Sequence, residues 1–151
     1  MSKPTVVAIN ISEQRGKRKH TLQGPVTITM LGIEGDAHAG DWHRQLSLLA
    51  QESIDKMQGH GMVLQPGDFA ENITTQGLNL PVLPIGTRLQ VGPAVIMEVT
   101  QIGKTCHLDC EVRRLVGDCV MPREGIFTRV LTPGTIQAGD SITIIDQGET
   151  S

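Results

Sequence analysis

Chemistry in this chain concentrates in one stretch. Cys106, Cys110 and Cys119 are its only cysteines, and they fall within fourteen consecutive positions. Gly103 and Lys104 stand just before the first of them, and His107 follows it directly. A thiolate both attacks sulfur donors and ligates soft metals, so one residue type serves either use. Positive charge from Lys104 and His107 favours thiolate over thiol at Cys106. Cys106 is therefore the expected reactive residue, with Lys104 and His107 as its catalytic neighbours. Cys110 lies four positions on, one turn along a helix, where it can act as a resolving thiol or a second ligand. Cys119 either returns to the same pocket or packs in the core, and the spacing leaves both open. The three cysteines are the candidate metal ligands. With His107 they also make a zinc set by type and count. Against zinc, the adjacent Cys106 and His107 rarely close one tetrahedron, and the Cys-x₃-Cys pair has no matching second pair. The bland reading is three buried thiols packing as small apolar side chains.

A second group of functional side chains lies in the polar loop that begins at Gly32. Glu34, Asp36, His38, Asp41 and His43 follow one another there among glycines. So many glycines disfavour a helix, so these groups are displayed from a loop. His38 and His43 alone are weak evidence for a metal, because no third ligand is set by spacing. The basic run Arg15-Gly16-Lys17-Arg18-Lys19-His20 reads as a solvated loop; its sharper reading is a landing site for an anionic cofactor.

The elements that must position these groups are strands. Ala94-Val95-Ile96-Met97-Glu98-Val99 is a short apolar run with β-branched residues, so Cys106 follows close on the end of a strand. Strands are expected at residues 6–9, 26–31, 94–99 and 142–145, with further strand-like segments at 70–75, 86–92 and 125–131. Residues 44–49 fit either a strand or the start of a helix. Helices are expected to be few and short, at 52–57 and 108–116. Seventeen glycines and eight prolines recur between the short apolar runs, the pattern of a β-rich fold with many turns. Aromatics are scarce, so the core must be built from Val, Ile, Leu and Met. The expectation is one domain over residues 1–151, ordered from about 4 to 146, mostly β and arranged as a closed or nearly closed barrel. The net charge of −3 gives no case for nucleic-acid binding. No signal-peptide pattern and no membrane-length apolar run stand out, which points to the reducing cytoplasm, where thiols persist.

In order and spacing, several fragments resemble a known family. They are Gly35-Asp36-Ala37-His38, Arg44-Gln45-Leu46-Ser47-Leu48-Leu49, Phe69-Ala70-Glu71-Asn72-Ile73-Thr74, Leu83-Pro84-Ile85-Gly86-Thr87, Gly103-Lys104-Thr105-Cys106-His107 and Glu124-Gly125-Ile126-Phe127-Thr128. Together they resemble a stand-alone bacterial MOSC domain, the module found at the C-terminus of molybdenum-cofactor sulfurases. The resemblance implies a β-rich, barrel-like fold, with Cys106 as persulfide carrier or molybdenum ligand. The activities it implies are sulfur transfer or molybdenum-cofactor-dependent chemistry. Larger members carry an N-terminal extension that this chain lacks, which bears on how complete the cofactor pocket is.

Molybdopterin, bound permanently or in transit, is then the expected cofactor, with zinc as the alternative. Its phosphate needs fixed donors, for which Arg44, Arg123, Lys104 and Asn72 are candidates, Arg being best suited to bidentate contacts. Asp36 and His38 join Arg44, Asn72 and Arg123 as candidate cofactor-binding residues. The partners implied are molybdenum-cofactor or sulfur-transfer proteins, with neither nucleic acid nor membrane. Loop 35–44 and turn 69–72 are expected to meet Cys106 in one pocket. A non-catalytic, partner-binding β-barrel module is the remaining alternative.

Overall fold

Short runs of Val, Ile and Thr, each cut by a turn, build nearly all of the regular structure. The computed structural model describes residues 4–14, 18–56, 65–103 and 124–146. In chain order the elements are β1 (Thr5–Ile11), β2 (His20–Thr21), β3 (Val26–Thr29), β4 (Gly32–Ile33), β5 (Leu46–Ala50), α1 (Gln51–Lys56) and β6 (Ile73–Gln76). A 3-10 turn at Leu80–Val82 precedes β7 (Arg88–Val91), β8 (Val95–Ile102), β9 (Ile126–Thr132), β10 (Gly134–Ile136) and β11 (Ile142–Asp146).

Eight strands form one sheet in the order β11-β7-β8-β9-β5-β6-β1-β2, and β10-β3-β4 form a second. Pairing is antiparallel except between β5 and β6. A parallel pair cannot be joined by a tight turn and needs a crossover, and α1 lies in that connection. All five residues of β5 are buried, which is why Leu46-Ser47-Leu48-Leu49 reads as a continuous apolar run rather than an alternating one. The ladder does not run round into a closed barrel. Its first and last long strands meet only at the antiparallel bridge between Thr5 and Ser141. Val6 N donates to Asp140 O and Ile142 N to Pro4 O, at 2.8 and 2.9 Å, and these bonds hold the seam.

The core is aliphatic, as the scarcity of aromatics requires. Ile9, Leu46, Leu48, Leu89, Val91, Met97, Val99, Ile126 and Val130 are buried in one cluster. Burying each such side chain contributes roughly 1.5–3 kcal/mol. β8 alternates buried and half-buried residues through Thr100, whereas β1 breaks its alternation. A register shift between Val6 and Ala8 leaves Ala8, Ile9 and Asn10 buried in succession. The extra residue brings Val6 and Ile9, three positions apart, into the same cluster, and the polar end of the molecule starts at Asn10.

The strands expected at 6–9, 94–99 and 142–145 are present as β1, β8 and β11. The strand expected over 26–31 stops at Thr29, whose hydroxyl accepts the Leu31 N–H at 3.0 Å to form a turn. Gly32, expected to open a loop, pairs instead with Thr29 in β4. Of the ambiguous residues 44–49, the last four are strand in β5, and the helix expected at 52–57 follows at once as α1, begun one residue earlier, with Met57 outside the described residues. β6 begins at Ile73, later than the segment 70–75 suggests, because Ala70 takes a left-handed φ of 66° and bends the chain. The helix expected at 108–116 lies outside the described residues.

Candidate functional site

The far end of β1 gathers two loops. Ser12 O accepts the Ala37 N–H at 2.8 Å, and Ser12 N donates to Asp36 Oδ1 at 3.1 Å. Two residues earlier, Asn10 N donates to Asn72 O at 2.6 Å and Asn72 Nδ2 donates to Asn10 O at 3.2 Å. Loop 34–44 and turn 65–72 therefore share one strand as their anchor. Gly67 makes the second attachment possible. Its φ is 91°, and a side chain there would overlap the carbonyl of Lys19, whose N–H donates to Gly67 O.

Lys19 lies at the centre of this end. The basic run was expected to be solvated, and for Lys19 that expectation is wrong: its side chain is fully buried against an equally buried Asp36, Nζ to Oδ1 2.7 Å. The β1–β2 hairpin turns the residue inward, while Arg18 and His20 on either side stay exposed. A buried ammonium needs acceptors, and Nζ also reaches His38 Nδ1 at 3.1 Å and Ser12 Oγ at 3.5 Å. The second Asp36 oxygen accepts the His38 backbone N–H at 3.0 Å. Burial, the largest single influence on Asp36, pushes its carboxyl up. The His38 contacts and the charge of Lys19 outweigh it and hold the group well below the usual carboxylate range. A cavity of about 290 Å³ lined by Ser12, Glu13, Gln14 and His20 opens beside the cluster.

From His38 a ladder of flat groups runs towards β9. The His38 and Trp42 rings are parallel with centroids 6.5 Å apart, and Trp42 Nε1 donates to His38 O at 2.7 Å. The Arg44 guanidinium carbon sits 5.0 Å from the Trp42 ring and 5.5 Å from that of Phe127. Such cation–π contacts hold the guanidinium in place without consuming its N–H groups. Arg44 Nε is buried and has no hydrogen-bond partner among the described residues. His43 clasps the same loop to β8. Its Nε2 lies 3.1 Å from Gln101 Oε1, and the Thr100 hydroxyl donates to its carbonyl. Gln101 Nε2 donates in turn to Gly103 O, and Gly103 N to Gly125 O, both at 2.7 Å. At the return of the chain, Glu124 Oε1 accepts from Ser53 Oγ at 2.7 Å and Lys56 Nζ at 2.6 Å.

Beneath the turn lies a network with little access to solvent. Asn72 Oδ1 accepts from Ser47 N at 2.9 Å and Ser47 Oγ at 3.1 Å, so with Nδ2 on Asn10 its side chain ties β5 to β1. Glu71 Oε2 accepts from Thr74 Oγ1 at 2.7 Å and Gly67 N at 3.1 Å, while Oε1 has no partner among the described residues. Burial dominates here, and the Glu71 carboxyl is pushed up to about 7 despite those bonds.

Of the residues expected to bind a cofactor, the fold brings Asp36, His38 and Arg44 into one loop with Trp42 between the last two. Both oxygens of Asp36 are engaged inside the protein. Asn72 sits in the adjoining network with its polar atoms bonded to neighbouring strands. Lys104, Cys106, His107, Cys110, Cys119 and Arg123 lie outside the described residues, and with them the cysteine half of the expected pocket. Among the described residues no three His, Cys, Asp or Glu side chains are placed to hold a metal ion. No described helix is long and apolar enough to cross a membrane. Three residues of the site escaped the sequence reading. Lys19 gave no signal beyond its charge, Glu71 stood unmarked in a motif, and Trp42 was the chain's single tryptophan.

The MOSC domain family model matches residues 35–143. No curated protein matches the chain. Among solved structures, the YuaD protein from Bacillus subtilis superimposes with a TM-score of 0.76 at 18% identity, covering 93% of this chain and 94% of that one. YiiM from Geobacillus stearothermophilus gives 0.73 at 19% identity over 97% of this chain and 77% of its own. YiiM from Escherichia coli gives 0.69 at 19% identity over 99% and 72%. At these identities the likeness is one of fold.

Proposed function

Because the chain belongs to the MOSC domain family, we propose that it handles sulfur or the molybdenum cofactor, with Cys106 as persulfide carrier or molybdenum ligand. The observation that carries this reading is the clasp of loop 35–44 onto the end of β8, through His43 on Gln101 and Thr100. Cys106 follows Gly103 by three positions, a length of chain that spans at most roughly 11 Å. On this reading Cys106 works beside loop 35–44, within that length of chain from Gly103. Arg44 fits the phosphate end of a pterin cofactor, since its buried Nε lacks an acceptor among the described residues and its guanidinium is pre-positioned between two rings. When bound, the cofactor supplies the redox-active metal, and Lys104, Asn72 and Arg123 are the further candidates for holding it.

In the sulfur-carrying use, the Cys106 thiolate attacks the outer sulfur of a donor persulfide. A new S–S bond forms on Cys106, the donor's S–S bond breaks, and the donor leaves as a thiolate. Lys104 and His107 favour the attacking thiolate. The partners are proteins of sulfur or molybdenum-cofactor transfer in the cytoplasm.

Elemental analysis of the purified protein, joined to an assay for cyanide-releasable sulfur, tests the reading. Molybdenum or labile sulfur is expected, with loss of both in Cys106→Ser while circular dichroism stays that of the wild type. One zinc per chain, with neither molybdenum nor labile sulfur and an unfolded serine variant, would establish a structural zinc site instead.

A further inference from the structure

We infer that Glu71 is a proton-operated latch on turn 65–72: protonated, it keeps the turn closed against β2, and on ionising it releases the turn and loosens loop 35–44 with it. Glu71 acts through the turn and the loop, as a positioning residue.

The turn needs holding. Gly67 at φ 91° and Ala70 at φ 66° both lie in the left-handed region, which is unfavourable for a residue with a side chain. Gly67 lies so close to β2 that a Cβ on it would stand 2.3 Å from Lys19 O. Backbone of this kind persists only where its surroundings fix it. The Glu71 carboxyl does so from inside: Oε2 accepts from Gly67 N at 3.1 Å and from Thr74 Oγ1 at 2.7 Å. Asn10 Nδ2 supports the same group through Glu71 O at 3.2 Å and Thr74 Oγ1 at 3.1 Å.

Glu71 is fully buried and makes no ion pair among the described residues, and its Oε1 has no hydrogen-bond partner among them. The neutral acid suits this geometry. Its carbonyl oxygen, Oε2, offers two lone pairs to the two donors, and Oε1 carries the proton. The carboxylate instead leaves charge on a buried oxygen that nothing solvates. Burial raises the carboxyl to about 7, outweighing Thr74 and the backbone N–H groups of Gly67, Glu71 and Phe69, which favour the charge. Around it β1 presents Asn10, β6 presents Thr74, and β2 presents the backbone of Lys19, whose ammonium meets Asp36. Asp68, the other acid of the turn, accepts Gln65 N at 2.9 Å, and His20 is exposed.

Release travels because Gly67 is bonded onward. Its O accepts Lys19 N at 2.8 Å, and Lys19 Nζ meets Asp36 Oδ1 at 2.7 Å. Asp36 Oδ2 accepts His38 N at 3.0 Å, and His38 O accepts Trp42 Nε1 at 2.7 Å. Below the ordinary carboxylate value Glu71 holds its proton whether the turn is closed or released. As pH rises towards 7 the released form ionises first, so release becomes easier by on the order of a hundredfold across that window.

NMR on the folded protein between pH 4 and 8 tests this. The signals to follow are the Glu71 side-chain carboxyl carbon, the Gly67 and Lys19 amides, and the indole N–H of Trp42, the single tryptophan. The expected result is one shared midpoint, raised above pH 5 towards 7, and its loss from the three nitrogen signals in Glu71→Gln. Titrations reaching Trp42 from the rings of His38 and His43 beside it survive in that variant, which separates them. A carboxyl midpoint at or below 5, Lys19 and Trp42 signals that do not follow the carboxyl, or the same titration in folded Glu71→Gln would overturn the inference. Should that variant not fold, the midpoints in the wild type decide by themselves. The functional meaning rests on the proposed role of loop 35–44 in the site. Absence of molybdenum and labile sulfur would sink that role and leave the latch standing; a failed titration would do the reverse.

Discussion

Strand β1 faces two different interiors along its length. Val6 and Ile9 enter the aliphatic cluster with Leu48, Leu89 and Met97. Asn10 and Ser12 enter a region of amides, hydroxyls, one carboxyl and one ion pair, each bonded to a neighbouring loop. The first region is held by area removed from water, which has no direction and tolerates a change of shape that keeps volume. The second is held by specific partners, and there a change of a single atom leaves a buried group exposed to its full desolvation cost. The polar end is therefore the less tolerant of substitution. It carries the loop that displays His38 and Arg44.

The contrast can be broken most sharply at Lys19. Lys19→Met keeps length and apolar bulk but leaves Asp36 buried without its cation. A loss of about 3–5 kcal/mol is expected in urea unfolding followed by Trp42 fluorescence. Adding Asp36→Leu should return part of that loss. If the double variant is no more stable than the single, the cost lies in packing and the two regions obey the same rule.

Glu71 sharpens the comparison through pH. Its carboxyl titrates near 7 in the folded protein against an ordinary value of 4.5. Below that ordinary value both states hold the proton. As pH rises to about 7 the unfolded chain releases it and the folded chain does not, so stability falls across that window by up to roughly 3 kcal/mol. Glu71→Gln cannot ionise and should flatten this part of the profile between pH 5 and 8. An unchanged slope in the variant would assign the dependence elsewhere. Asp36 acts in the opposite sense and lower down: its stabilisation is present at neutral pH and is lost as acid protonates it.

The smallest effect should come from the aliphatic side. Met97 is fully buried, yet Met97→Leu conserves volume and gives up only a weak contact with the Thr128 hydroxyl, 3.4 Å from its sulfur. A cost below about 1.5 kcal/mol is expected, read as a shift of a few degrees or less in melting temperature. A loss comparable to that of Lys19→Met would erase the distinction between the two interiors.

Local order was legible along the chain because strand periodicity is local. The β-branched runs announced β1, β8 and β11, and the excess of glycine and proline announced the turns between them. The ends of elements were less legible, since Thr29 and Ala70 stop their strands through a hydroxyl and a left-handed backbone that no pattern marks. The loop carrying Asp36, His38 and Arg44 stood out by composition, and its fragments carried the family likeness. What those side chains touch could not be read the same way. Lys19 belongs to a run that looks solvated, and only the β1–β2 hairpin turns it inward while the β3–β4 pair brings Asp36 to it from seventeen residues away. A charge is stable inside a protein only where acceptors from separate segments converge, and that convergence belongs to the tertiary structure. Residue types and their spacing thus determined the strands, the aliphatic core and the chemistry on offer. The fold decided which polar groups would spend that chemistry on one another, as Lys19 and Asp36 do.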